Sequence, residues 1–464
     1  MQLKDVFHEL GYEVEWAKDF TRYIDLWRSW YEGNVKSFHN YKVYNGMKRV
    51  NVKRRSLGMA KKLCEDWADL QVNEKVSITT DNEETNKKLN KILDDNDFWI
   101  LCNQGIEKTF ALGTGAFVCG VENLTTDNAG RYIRDGEART KIQFLTADKI
   151  IPLSWDALHI TECAFVDTRV EKGKTITQVS IHKLNEEGNY IISKKFFEGG
   201  GNNLKALEDR DYDFDTLSPL PWFEIDKPNI CNNIDIESPY GISIFANSID
   251  ILEGIDIAYD ELPTEFLLGR KRIFVDKSLT KVSQLDGTEQ LTFDLNDILF
   301  YSLPEGFNDS NSIGLQDNTQ ELRVQEHKEG IQFQLNLLSA KTGFGQTYYK
   351  FENGTVSTAT EVVSENSQMF RTLKKHEIIL DACLTDLVKI ISYIETTFVG
   401  NTMDYKNIII DFDDSIIEDK DKERQTDRAD MSDGIMRREE YRAKYYNETE
   451  EEALEKLPVI SELL

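Results

Sequence analysis

Two long helical hydrophobic patterns, at residues 320–341 and 359–398, are separated by a stretch with almost no aliphatic content. It reads Lys341-Thr-Gly-Phe-Gly-Gln-Thr-Tyr-Tyr-Lys-Phe-Glu-Asn-Gly-Thr-Val-Ser-Thr-Ala-Thr-Glu361. The first pattern carries Val324, Ile331, Leu335 and Leu338 on one side. The second runs Val362, Met369, Leu373, Leu380, Leu384, Leu387, Ile391 and Ile394. Thr358-Ala-Thr-Glu361 reads as a capping box, the Thr358 hydroxyl accepting from an orphan backbone N–H while Glu361 reaches back. Any fold for this chain must therefore hold a glycine-punctuated aromatic loop between two helices. A loop so placed is expected to move and to touch something.

The rest of the chain divides by hydrophobic period. Residues 1–110 read mainly as helix, with Trp16, Tyr23, Ile24, Trp27, Trp30 and Tyr31 at helical spacing up to Gly33 and a second face at Met59, Leu63, Trp67 and Leu70. A strand is expected at Asn73–Thr79 and helix again over 83–112. From Gly113 to about Glu198 the period is two, predicting strands at 116–122, 141–145, 164–169, 175–183 and 190–197 with turns at Asp135-Gly and Glu187-Gly. Ser238-Pro-Tyr-Gly is expected to open a helix to Gly269, kinked or restarted at Pro263. Residues 270–318 read as a compact β-rich insert with strands near 272–275, 290–293 and 298–303. The tail, 401–464, carries 19 acidic and 10 basic residues, with helices near 418–445 and from a cap at Thr449.

Composition narrows the chemistry. With 82 acidic and 55 basic residues the chain carries −27, which argues against a general nucleic-acid binder. Six cysteines are scattered without a CxxC pair and read as small buried residues of a reducing compartment. No secretory h-region and no apolar run of membrane-spanning length occurs, so a soluble protein made in a cytoplasm is expected. The six histidines stand alone, Gly113-Thr-Gly115 lacks the Lys-Ser/Thr of a phosphate loop and reads as a helix C-cap, and Asp411-Phe-Asp-Asp414 lacks a calcium-loop pattern. Neither catalytic residues, metal ligands nor a cofactor is indicated.

Two charge features stand out. Glu253, Asp256 and Asp260 share a helical line, a solvent or channel face in preference to an acid–base pair. Between Lys42 and Lys62 lie eight basic residues and no acidic one. Lys48, Arg49, Lys53, Arg54 and Arg55 are its centre. The block reads as a helix face neutralised by its own fold or by a neighbouring subunit, the intersubunit surface being favoured; a phosphate-contacting patch is the sharper alternative.

The order of these parts resembles the portal (head-to-tail connector) proteins of tailed bacteriophages, especially long-tailed phages of Gram-positive hosts. The resemblance is carried by Trp30-Tyr31-x-Gly33, Leu57–Leu70 running into Asn73–Ile78, Asp148–Leu153, Ser238–Phe245, Ile255–Asp260, Thr358–Val362, Asp433-Gly-Ile435 and Thr449–Ala453. It implies an α+β portal-like fold assembled as a ring. The α/β wing would be 1–237, the two-helix stem 238–269 and 319–342, and the β-rich clip 270–318. The tunnel loop would be 343–358, the long wing/tunnel helix 359–400 and the helical crown 401–464. It further implies a homo-oligomer of twelve subunits at one capsid vertex, assembled in the host bacterial cytoplasm. Its partners would be double-stranded DNA passing through the channel, the terminase motor, the major capsid and scaffolding proteins, and a head-completion or adaptor protein at the clip, with no membrane.

On that reading Glu253, Asp256 and Asp260 line the channel and repel phosphate. Gln346, Thr347, Tyr348, Tyr349, Lys350 and Asn353 supply the tunnel loop's few DNA contacts, with Gly343, Gly345 and Gly354 letting it move. Lys341 and Lys350 would add positive charge near the constriction. The rival classes are an enzyme acting on nucleic acid or glycan through Glu253 or Asp256, and a monomeric adaptor or scaffold.

Overall fold

The apolar spacing of the N-terminal third folds it into helices α1 (Leu3–Glu9), α2 (Glu15–Tyr31) and the short α3 (Lys36–His39), followed by a hairpin of β1 (Asn40–Tyr44) and β2 (Arg49–Lys53). Helix α4 (Met59–Gln71) buries Met59, Leu63 and Trp67. After β3 (Ser77–Thr80), the expected single helix is two, α5 (Glu83–Asp95) and α6 (Phe98–Leu112), broken where Asp97 turns left-handed at φ 48°. Asn82 starts α5 as an N-cap, its side chain accepting from the Glu84 and Thr85 amides. The computed structural model describes residues 2–44, 46–72, 76–126, 132–133, 137–157, 159–201, 203–269, 271–276, 281–283, 289–291, 300–303, 315–317, 321–350, 359–412, 420–446, 453–454 and 456–457.

Gly113 ends α6 at φ 83°, and from there the period-two pattern becomes sheet. The strands are β4 (Gly115–Glu122), β5 (Thr125–Thr126), β6 (Tyr132–Ile133), β7 (Arg139–Thr146), β8 (Ile150–Asp156), β9 (His159–Glu171), β10 (Lys174–Leu184), β11 (Tyr190–Glu198), β12 (Lys205–Ala206), β13 (Tyr212–Asp215) and β14 (Phe223–Asp226). They form an antiparallel sheet of order β12-β11-β10-β9-β8, with β13 also on β11, and a second of order β14-β4-β7. Ile142 and Phe117 of the smaller sheet join the main core, with Phe98 and Phe110 of α6.

Ser238–Phe245 does not open a helix. Its backbone is pressed against the end of α6: the Gly241 amide donates to Thr114 Oγ1 at 3.0 Å, and a Cβ on Gly241 would lie 2.2 Å from the Gly113 carbonyl oxygen. The Tyr240 hydroxyl donates to the Ile150 carbonyl at 2.6 Å. Helix α7 begins only at Ile249 and runs to Leu268, continuing through Pro263. The insert contributes β15 (Ile273–Asp276), β16 (Lys281–Ser283), β17 (Glu289–Leu291), β18 (Phe300–Leu303) and β19 (Leu315–Asp317), with β15 parallel to β18 and antiparallel to β19. Helix α8 (Val324–Lys341) returns along α7, and Arg323 forks onto Glu265 at 2.9 and 3.2 Å, tying the two ends of the insert together. That guanidinium holds the Glu265 carboxyl down at about 2.

Helix α9 (Ala359–Ile394) is the spine of the core, with Leu380, Leu384, Val388, Ile391 and Ile394 fully buried. It closes in a wide turn at Glu395–Val399, where the buried Glu395 carboxylate accepts from Thr140 Oγ1 (2.6 Å) and Asn401 Nδ2 (2.7 Å). The tail then lies against the N-terminal third, β20 (Ile408–Asp411) pairing antiparallel with β3. The expected helix at 418–445 is two, α10 (Lys420–Ser432) and α11 (Arg438–Tyr446), parted at Gly434 with φ 76° and held by Lys444 on Asp427 at 2.7 Å. The capping residues Thr358 and Thr449 lie outside the described residues.

Candidate functional site

The segment after α8 is anchored before it can leave the body. Gly343 and Gly345, at φ 93° and 97°, turn the chain so that Phe344 between them points inward and is 3 % exposed. Its ring stacks on Trp67 of α4 at 4.3 Å and on Tyr348 at 4.4 Å. Trp67 Nε1 donates to the Thr342 carbonyl at 3.2 Å. The Tyr349 hydroxyl donates to Asp66 Oδ2 at 2.8 Å, Lys62 Nζ donates to the other Asp66 oxygen at 2.5 Å, and Gln332 Nε2 of α8 donates to the Tyr349 carbonyl at 2.7 Å. Burial and the Asp66 carboxylate push the Tyr349 hydroxyl far above its ordinary range, so it stays a donor. His376 of α9 stands edge-on to Trp67 at 5.6 Å, and burial lowers it to about 3, leaving a neutral ring whose Nδ1 accepts from the Asn229 amide.

This changes the sequence picture of a loop swinging on glycine hinges. Gln346, Tyr348 and Lys350 are exposed and Thr347 half-buried, whereas Tyr349 is an anchor; Asn353 and Gly354 lie outside the described residues. Periodicity gave no hint of Asp66 or Phe344 as partners. The available signal was Gly-Phe-Gly, a large apolar side chain between two residues able to take positive φ.

The acidic line on α7 is also reorganised. Asp256 is 3 % exposed and lines no channel: Oδ2 meets His39 Nε2 at 3.0 Å and Oδ1 accepts the Leu57 amide at 2.8 Å. His39 Nδ1 accepts the Val35 amide, so Nε2 carries the hydrogen and donates. Asp260 Oδ1 accepts the Arg55 amide at 3.2 Å. With His39 and Leu57 laid across α7, Asp256 is turned inward, while Asp260 is half-buried. Glu253 is half-buried, and Asp250 and Glu261 are exposed beside it. Lys341 faces Asp250 at 4.0 Å within the same chain.

The basic block is a hairpin and not a helix face. Its register pairs Tyr44 with Arg49, Val43 with Val50, Lys42 with Asn51, Tyr41 with Val52 and Asn40 with Lys53. Lys48, Arg49, Lys53 and Arg55 are exposed, while Arg54 is used internally, its guanidinium 4.2 Å over Phe38 and 4.6 Å over Tyr41. Lys61 pairs with Glu107 at 2.7 Å and Lys62 with Asp66.

Elsewhere, a cleft of about 660 Å³ opens between the two sheets, walled by Gln143, Asp167, Arg169, Gln178, Ser180 and Lys194. His182 at its inner end is held neutral, burial lowering it to about 3. Among the described residues no three His, Cys, Asp or Glu side chains are grouped to hold a metal ion, and no helix is long and apolar enough to cross a membrane.

The chain is α+β, with a β-containing insert between the paired helices α7 and α8, an anchored segment after α8 and the long core helix α9. The family model described as "Phage portal protein, SPP1 Gp6-like" matches residues 14–461, and the chain belongs to that family. It is thus a portal connector and a component of the virion, in a family of structural proteins. Similar solved structures include a chain of the virion of a native gene transfer agent particle (12 % identity, 83 % of this chain and 88 % of that one, TM-score 0.44). Another is a chain of the neck of a native gene transfer agent particle computed with C12 symmetry (12 % identity, the same coverages, TM-score 0.39). No curated protein matches the sequence.

Proposed function

We propose that copies of this chain close into a ring of twelve at one capsid vertex and that double-stranded DNA passes through it during packaging and ejection. The observation that carries this reading, beside family membership, is the clamp on Phe344 and Tyr349. It starts the segment after Lys350 from a fixed point between α8, α4 and α9, as a ring of contacts around a duplex requires. Residues 1–237 serve as the wing against the capsid and scaffolding proteins, α7 and α8 as the stem, and 270–318 as the clip for the terminase motor and later a head-completion or adaptor protein. Residues 343–358 are the tunnel loop and 401–464 the crown.

With Asp256 engaged inside the subunit and Asp250 facing Lys341, Glu253, Asp260 and Glu261 are stem carboxylates of α7 left to repel phosphate. A channel that gripped DNA through many cations would resist every step of translocation. Gln346, Tyr348 and Lys350 make the loop's contacts, with Asn353 beyond them.

Deleting residues 351–357, which spares the clamp, should leave the number of subunits in the assembled ring unchanged while DNA packaging into empty heads stalls. Packaging at the wild-type rate by that deletion would refute the loop's role. A wild-type chain that stays at 53.6 kDa would refute the ring.

A further inference from the structure

We infer that the β1–β2 hairpin is a clasp that docks on a second copy of this chain. The inference rests on the ring reading and adds which element joins the subunits. Three observations converge on it.

The first is that the hairpin is a two-stranded sheet of its own, with both outer edges unpaired among the described residues. Such ribbons are at best marginal in water and invite a partner. Alternation gives it two unlike faces: Tyr41, Val43, Val50 and Val52 on one, and Lys42, Tyr44, Arg49, Asn51 and Lys53 on the other. Val43 is 43 % exposed, Val50 37 % and the turn residue Met47 90 %, so apolar surface stands in water on an otherwise strongly charged chain.

The second is that its base is rigid. His39 and the Leu57 amide converge on buried Asp256, the Arg55 amide reaches Asp260, the Arg54 amide donates to the His39 carbonyl at 2.7 Å, and the Arg54 guanidinium covers Phe38 and Tyr41. A protruding arm fixed at its root loses little freedom on docking.

The third is charge. Lys42, Arg49, Lys53 and Arg55 make no side-chain ion pair among the described residues, and the chain they belong to carries −27. A second copy therefore offers what this arm lacks, an acidic surface, and the valine face favours protein over a phosphate backbone. An arm from one subunit meeting a different patch on the next is a head-to-tail contact, the kind that closes rings.

The test uses the full chain with Lys42→Glu/Arg49→Glu/Lys53→Glu and, separately, Val43→Asp/Val50→Asp. Sedimentation over a concentration series gives the assembly midpoint, far-UV circular dichroism checks that each variant is folded, and a short DNA duplex serves as probe. Both variants, folded like wild type, should need about tenfold or more protein to assemble, and added salt should weaken assembly of the wild type more than that of the charge-reversed variant. Wild-type rings with unchanged midpoints in both variants would overturn the clasp and leave the ring standing. Unchanged midpoints with lost duplex binding in the charge variant would reassign the hairpin to DNA. A wild-type chain that never assembles would overturn both readings.

Discussion

Replacing Asp256 separates the two places that carboxylate could act. In the structure it is buried and satisfies two donors, the Leu57 amide at 2.8 Å and His39 Nε2–H at 3.0 Å. Asp256→Ala leaves both donors unpaired in a dry site, at about 1–3 kcal/mol each, so a loss of roughly 3–5 kcal/mol is expected. Asp256→Asn keeps the shape but offers one acceptor oxygen, and its amide N–H₂ then faces a donor. His39 cannot yield by changing tautomer, because its Nδ1 is occupied by the Val35 amide. The asparagine variant should therefore lose roughly 2–3 kcal/mol. Urea unfolding followed by tryptophan fluorescence, at one fixed protein concentration because assembly shifts apparent stability, measures both. Hydrogen exchange at the Leu57 amide reports the local bond and should accelerate in both variants. A channel-facing aspartate would behave otherwise: its neutralisation should cost no more than about 0.5 kcal/mol and leave Leu57 protected. That result would refute the buried placement.

Three further outcomes are expected. Phe344→Ala should cost about 3–5 kcal/mol and shift Trp67 emission, while Tyr349→Phe should cost about 1 kcal/mol, both read by urea unfolding. Gly241→Ala should give no soluble chain, because its Cβ would sit 2.2 Å from the Gly113 carbonyl oxygen; normal yield and melting would contradict that contact. Glu224 is raised to about 8, chiefly by burial and then by the Asp386 carboxylate. A carboxyl raised on folding contributes stability that is complete below its ordinary value of 4.5 and is lost as pH rises through about 8. Glu224→Gln should therefore raise the melting temperature relative to wild type most at about pH 9, by less at about pH 6, and little at about pH 4, below the ordinary carboxyl value.

What sequence could reveal followed the range of the cause. The change of period at Gly113, the strands 116–122 and 190–197, the apolar line of α9 and the order of parts shared with the portal family are local or cumulative patterns, and each stands in the fold or the family match. Ser238–Phe245 carries helical spacing at Ile242, Phe245 and Ile249, yet the Gly113–Gly241 approach overrides it from the far side of the sheet region. Spacing put Glu253, Asp256 and Asp260 on one face correctly. It could not tell which part of that face is covered by His39, 217 positions earlier. The hairpin escapes a reading by charge for a related reason: the eight cations between Lys42 and Lys62 draw attention from the alternation Tyr41, Val43, Val50, Val52 that makes it a ribbon.

The pairing of β20 with β3 also governs when this protein becomes itself. Strand β3 has no other sheet neighbour among the described residues, and the segment leading to β20 is fixed by Thr85 on the Asp404 carbonyl and by Asp81 on the Lys406 amide. A chain emerging from the ribosome thus keeps one edge of its N-terminal third unfinished until the strand 330 positions further on has been made. Nascent chains stopped short of Ile408 present an open strand, a form that proteases and chaperones recognise. The edge of the N-terminal third is thus closed by residues from the far end of the fold, so β3 and β20 complete their surface together or not at all.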